Sequence, residues 1–241
     1  MKLKNLARLE LASVKAVLLP MIVLWMIAVA GVALYYGSAW FSAMLEPLRR
    51  FQGEHAIAAP FLSQMFFCGL LPGVFILALK SLRPRHPVAT MLAQGLWCGV
   101  SGVICNGFFL ALGAVFGDGA DITTLCVKTA ISQFIWTPLF IAPANAVFFF
   151  WLGRDFSLAR SRAEFPHRFY RDAVMPNLVA NWLVWIPVTL AVFAFPIELQ
   201  IHINGLAGAF WMLMCLEIGR RTRESLLPEC SEYTLLDCSD T

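Results

Sequence analysis

Six long apolar stretches dominate this chain and leave little else to fold. They run over about residues 16–37, 61–79, 88–116, 129–152, 177–196 and 203–219. A helix needs about 20 mostly apolar residues to cross about 30 Å of hydrocarbon. In lipid, only helices and closed barrels satisfy every backbone polar group. The expected fold is therefore all-α: a polytopic membrane bundle of six transmembrane helices, the long third one tilted or ending in the interface. Composition agrees, at 59% hydrophobic and 14% charged residues against roughly a quarter charged in a soluble domain. Lys2, Lys4, Arg8 and Lys15 precede the first run as they would in a secretory signal. That run is longer than the usual 7 to about 15 residues and has no small-residue cleavage site, so it reads as an uncleaved span.

The basic residues divide unevenly between the two sides. Lys2, Lys4, Arg8 and Lys15 share a face with Lys80, Arg83 and Arg85, with Arg154, Arg160, Arg162, Arg168 and Arg171, and with Arg220, Arg221 and Arg223. Only Arg49, Arg50 and Lys128 fall on the other. The positive-inside rule then places both termini inside and requires an even number of spans. The chain divides into a basic N-terminus over 1–15, a helical membrane domain over 16–223 and an acidic tail over 224–241, read as disordered.

Two connections read as interfacial. Trp40, Phe41, Met44, Leu45, Leu48 and Phe51 recur at helical spacing beside Glu46, Arg49 and Arg50, the pattern of a helix lying in the outer headgroup layer. Between Arg154 and Arg171, five arginines mix with Phe156, Phe165, Phe169 and Tyr170, which suits anionic inner-leaflet lipids. No nucleic acid partner is expected, since that would want a soluble basic face.

Polar residues inside spans are informative because an unpaired amide in hydrocarbon costs several kcal/mol. Gly95, Gly99, Gly102, Asn106 and Gly113 form one stripe of the third span, beside Gln94, Cys98, Ser101 and Cys105. Such a face allows close helix approach and reads either as dry packing or as a wet path. In the fourth span Ser132, Gln133 and Asn145 accompany Pro138 and Pro143, which should kink or unwind it. The freed carbonyls face either neighbours or a solute. The fifth span carries Asn181, a stripe of Trp182, Trp185, Thr189 and Phe193, and a break at Pro187. Trp182 and Trp185 are expected to pack helices.

Catalytic signals are sparse. His167 and Asp172 spell HxxxxD, the acyltransferase pattern, but in a short connection without a catalytic domain. Cysteine spacing offers no metal site, and no HExxH or paired acids occur in an apolar run. No enzyme activity, metal or cofactor is expected. Cys126 is placed in an outer loop, and Glu198 and His202 at a solvated turn.

Residues 95–221 nevertheless resemble the Mpv/PMP family of small peroxisomal and mitochondrial membrane proteins. The resemblance rests on Gly107-Phe108-Phe109, on Lys128 with Gln133 and Pro138, on Asn181-Trp182-x-x-Trp185-x-Pro187 with Phe193 and Pro196, and on Trp211 with Arg220-Arg221. It implies a bundle in a mitochondrial inner or peroxisomal membrane, or in a bacterial cytoplasmic membrane, with channel-like permeation of small solutes. The expected path passes Gln94, Ser101, Asn106, Gln133, Asn145 and Thr189. The alternatives are a non-conducting scaffold or assembly factor and, remotely, an acyltransferase; a homo-oligomer is left open.

Overall fold

The computed structural model describes residues 21–78 and 83–213. The basic segment 1–15, the start of the first expected span, the last residue of the second with Lys80, the end of the sixth with Arg220, Arg221 and Arg223, and the tail 224–241 lie outside the described residues. Among the described residues, all regular structure is helical.

Helix α1, Met21–Gly37, and helix α2, Ala39–Glu54, meet at 100°. Ser38 makes the corner. Its backbone is extended, with φ −131° and ψ 109°, and its side chain accepts from Phe41 N–H at 3.4 Å, so it ends one helix and caps the next. On α2, Glu46 pairs with Arg49 at 3.1 Å and with Arg50 at 3.3 Å.

Helices α3 (Ala58–Ala78), α4 (Pro87–Phe116) and α5 (Ile122–Leu152) are each long and apolar enough to cross a membrane. The bent α1–α2 pair makes a fourth if counted as one span. Short helix α6, Leu158–Ala163, is capped by the Ser157 hydroxyl. A π-helical turn, Tyr170–Val174, leads into α7, Met175–Ala194, and α8 follows over 197–213.

Helix α5 starts well before residue 129 because Asp121 caps it. The Asp121 carboxylate accepts from Thr124 N–H at 2.9 Å, which holds its pKa below the usual range. Cys126, expected in a loop, therefore lies on α5, exposed and free.

Inter-helix contacts fix the direction of each helix. Trp25 Nε1 donates to Val184 O at 3.1 Å and Tyr36 Oη to Ala194 O at 2.7 Å, so α1 and α7 run parallel. Gln64 Nε2 reaches Ile201 O at 2.7 Å and Cys68 Sγ reaches Gly205 O at 3.5 Å, so α3 and α8 run parallel. Helix α4 is antiparallel to α3, with Gly99 against Phe61 and Gly95 against Gly69. It is also antiparallel to α5, with Trp97 on Phe148 and Phe108 on Trp136. Helices α5 and α7 are antiparallel, Gln133 meeting Thr189 and Lys128 meeting Phe193. The long helices thus alternate in direction along the chain. Met21, Phe109, Leu112, Leu125, Val184, Val188, Phe193 and Ile201 lie in the core they share.

Candidate functional site

The polar seams of the bundle begin with its prolines. A proline at position i has no N–H for the carbonyl at i−4, and its ring pushes that carbonyl away. Pro72 does this to Cys68. Around it α3 widens into a π-helical stretch, Met65–Leu70, and the Cys68 carbonyl accepts instead from Gln94 Nε2 of α4 at 3.2 Å.

In α5 the spacing of Pro138 and Pro143 matters more than either residue alone. The segment Ser132–Ile141 is π-helical, so each carbonyl looks five residues ahead for its donor. For Gln133 that residue is Pro138, and for Pro138 it is Pro143; neither has an N–H. Both carbonyls are taken by side chains of later segments: Trp182 Nε1 donates to Gln133 O at 2.8 Å, and Tyr170 Oη to Pro138 O at 3.2 Å. The interruption expected at Pro138 and Pro143 is thus a widened helix whose open carbonyls are filled by neighbours. In α7, Val184 O, just ahead of Pro187, receives the Trp25 indole.

The six path candidates follow the same logic. Gln133 Nε2 donates to Thr189 Oγ1 at 2.8 Å, and Asn181 Nδ2 donates to Gln133 Oε1 at 3.3 Å. Asn106 Oδ1 accepts from Gln52 Nε2 at 3.3 Å, and Asn145 Oδ1 from Trp97 Nε1 at 2.8 Å. Gln94, Asn106, Gln133 and Thr189 are buried, while Asn145 and Ser101 are half-buried. Among these six, only Gln133 and Thr189 are bonded to each other. Gln94, Asn106 and Asn145 instead bond α4 to α3, α4 to α2 and α5 to α4.

Four glycines of α4, Gly95, Gly99, Gly102 and Gly113, sit at contacts with other segments, whereas Gly107 faces open space. A methyl group on Gly69 would strike the backbone of Gly95, and one on Gly102 would strike Gln64. Gly99 faces the Phe61 ring, and Gly113 faces Ile197 and Asp118. Trp185 reaches to within 3.9 Å of where a Cβ of Gly208 would stand.

Several residues take places that hydropathy did not indicate. Lys128 is only 1% exposed, its Nζ 3.6 Å from an Asp118 carboxylate oxygen and 6.0 Å from the Phe193 ring centre. Glu198 pairs with Arg49 at 3.6 Å, and His202 is buried rather than solvated. Gln52, Gln64 and Gln200 are buried as well. Gln52 Oε1, Gln200 Oε1 and His202 Nε2 have no hydrogen-bond partner among the described residues. His167 of the HxxxxD pattern is exposed, and the Asp172 side chain lies outside the described set.

A groove of about 1280 Å³ lies along α5, closed at one end by α6, and none of the six candidates lines it. Its walls include Trp97, Phe140, Phe148 and Trp151, with Arg162 on α6.

No known family, no curated protein and no solved structure matches the chain.

Proposed function

We propose that this chain is a six-span integral membrane protein with both termini on the inner side, related to the Mpv/PMP family, and that it acts as a non-conducting helical scaffold or assembly factor. Two observations support the topology: the lysine and arginine asymmetry, and the alternating direction of α1, α3, α4, α5, α7 and α8. One observation carries the scaffold reading. Gln94, Asn106, Gln133, Asn145 and Thr189 all spend side-chain hydrogen bonds on neighbouring helices. Polar side chains used this way are packing devices, worth about 0.6 kcal/mol each in membrane bundles. Residues 95–221 carry the family resemblance, which favours an organelle or bacterial cytoplasmic membrane.

A small-solute channel is the second reading. It is favoured by Gln52 Oε1, Gln200 Oε1 and His202 Nε2, which are buried with no hydrogen-bond partner among the described residues. Solute efflux from liposomes holding the purified protein separates the two readings. The scaffold reading expects leak-level flux for the native chain and for Asn106→Leu and Gln133→Leu, with both variants less stable. Flux above leak that either variant abolishes would establish the channel instead.

A further inference from the structure

We propose that the groove along α5 is a stoichiometric site for one anionic phospholipid, its acyl chain lying against the helix and its phosphate at Arg162. The inference holds whether or not the bundle conducts.

Shape comes first. Leu139, Pro143, Val147 and Trp151 line the groove at four-residue intervals, one stripe of α5. Twelve residues at about 1.5 Å each make that stripe about 18 Å long. One leaflet supplies about half of a 30 Å hydrocarbon core, so the stripe matches a single extended acyl chain. The stacked pair Trp97 and Phe148, 4.8 Å between ring centres, gives the groove a stiff wall. Apolar burial alone would not select an occupant here, because a chain leaves lipid that is equally apolar. Selection falls to the polar end.

Charge is placed there and left over. Arg154 lies over the Phe150 ring and binds Glu164 at 2.9 Å, while Asp155 faces both Arg85 at 3.8 Å and Arg160 at 3.6 Å. The carboxylates of Asp155 and Glu164 are thereby engaged. Arg162 lines the groove, is exposed, and has no carboxylate partner among the described residues. Two more lining residues bring unused donors: Trp151 Nε1 and Ser161 Oγ are buried with no hydrogen-bond partner among the described residues. A guanidinium, a hydroxyl and an indole N–H at the end of an apolar slot suit a phosphodiester with its ester oxygens. A zwitterionic lipid would bring a second cation toward Arg162.

The test is native mass spectrometry of the delipidated full chain titrated with phosphatidylglycerol or phosphatidylcholine. One phosphatidylglycerol should be retained in preference to phosphatidylcholine. Arg162→Gln should weaken that retention about fivefold, the ratio expected for one basic residue at a lipid headgroup. Arg168→Gln should change it less than twofold. Ala144→Trp, which fills the slot and leaves Arg162 in place, should abolish it while circular dichroism stays native. Equal losses in Arg162→Gln and Arg168→Gln would mean diffuse attraction to a basic surface and overturn the site. So would an Ala144→Trp protein that binds normally, or one that loses a dimer instead of a lipid, which would assign the groove to a second copy.

Discussion

Replacing Trp182 by Phe removes the indole N–H donor and tests whether Pro138 leaves the Gln133 carbonyl without a backbone donor. The indole N–H sits 2.8 Å from that carbonyl, and the ring packs against Phe134 with centres 5.3 Å apart, a contact that Phe largely keeps. A side-chain hydrogen bond in a membrane bundle contributes about 0.6 to 1.7 kcal/mol, and a buried carbonyl left bare costs about 1 to 3 kcal/mol. These overlap, and Trp182→Phe should cost about 1.5 kcal/mol. Pro138→Ala supplies the missing N–H at the position that the π register aims at Gln133 O. In that background the same Trp182→Phe change should cost only about 0.5 kcal/mol, a coupling of about 1 kcal/mol across the double-mutant cycle. Unfolding by SDS titration in mixed micelles, followed by far-ultraviolet circular dichroism, reads all four proteins. If Trp182→Phe costs the same with and without Pro138, to within about 0.3 kcal/mol, the proline is not what opens that carbonyl.

Other consequences follow from packing and charge. Gly69→Val sets a side chain against the backbone of Gly95, which cannot yield as a flexible side chain would, and should destabilise by about 3 kcal/mol in the same titration. Gly107→Ala, where a new methyl meets nothing within 4 Å, should instead stabilise α4 by about 0.5 to 1 kcal/mol. Asp118→Asn leaves the buried Lys128 ammonium without its counter-charge, whereas Lys128→Met removes the desolvated charge itself. Asp118→Asn should therefore lower the melting temperature more than Lys128→Met, and the reverse order would show that Lys128 is not held as a buried ion.

Much of the bundle could be read from hydropathy and periodicity. The long helices appear near the expected apolar runs, and the amphipathic pattern of 40–51 falls on α2, turned 100° away from α1. Hydropathy is a sum over residues, so it finds apolar helices well and their ends poorly; among the described residues three helices, or four with the bent α1–α2 pair counted as one span, are long and apolar enough to cross a membrane, where six spans were expected. Asp121, a single capping carboxylate, moves the start of α5 without changing any average. Lys128 misleads for a related reason: one ammonium beside an apolar run looks interfacial until Asp118 is brought to it by the chain reversal ahead of α5. The polar candidates were visible as residues, but their partners were not. Gln52 belongs to α2 and Asn145 to α5, and no spacing in one dimension links Gln52 to Asn106 or Trp97 to Asn145. One signal was legible and unused. Prolines five apart, as at 138 and 143, deprive two carbonyls in succession of a π-register donor, and Trp182 and Tyr170 are donors of the kind such carbonyls require.

Water access to the Gln133–Thr189 pair is the most direct measure of whether these polar groups are staples or the lining of a path. With the native cysteines replaced, Thr189→Cys places a thiol at a buried position on α7, and a water-soluble maleimide is added to sealed and to permeabilised proteoliposomes. A dry seam predicts that Cys at 189 stays unmodified from both sides until the protein is unfolded, while Cys126 in the native chain reacts readily. Rapid modification of position 189 in the folded bundle would contradict it.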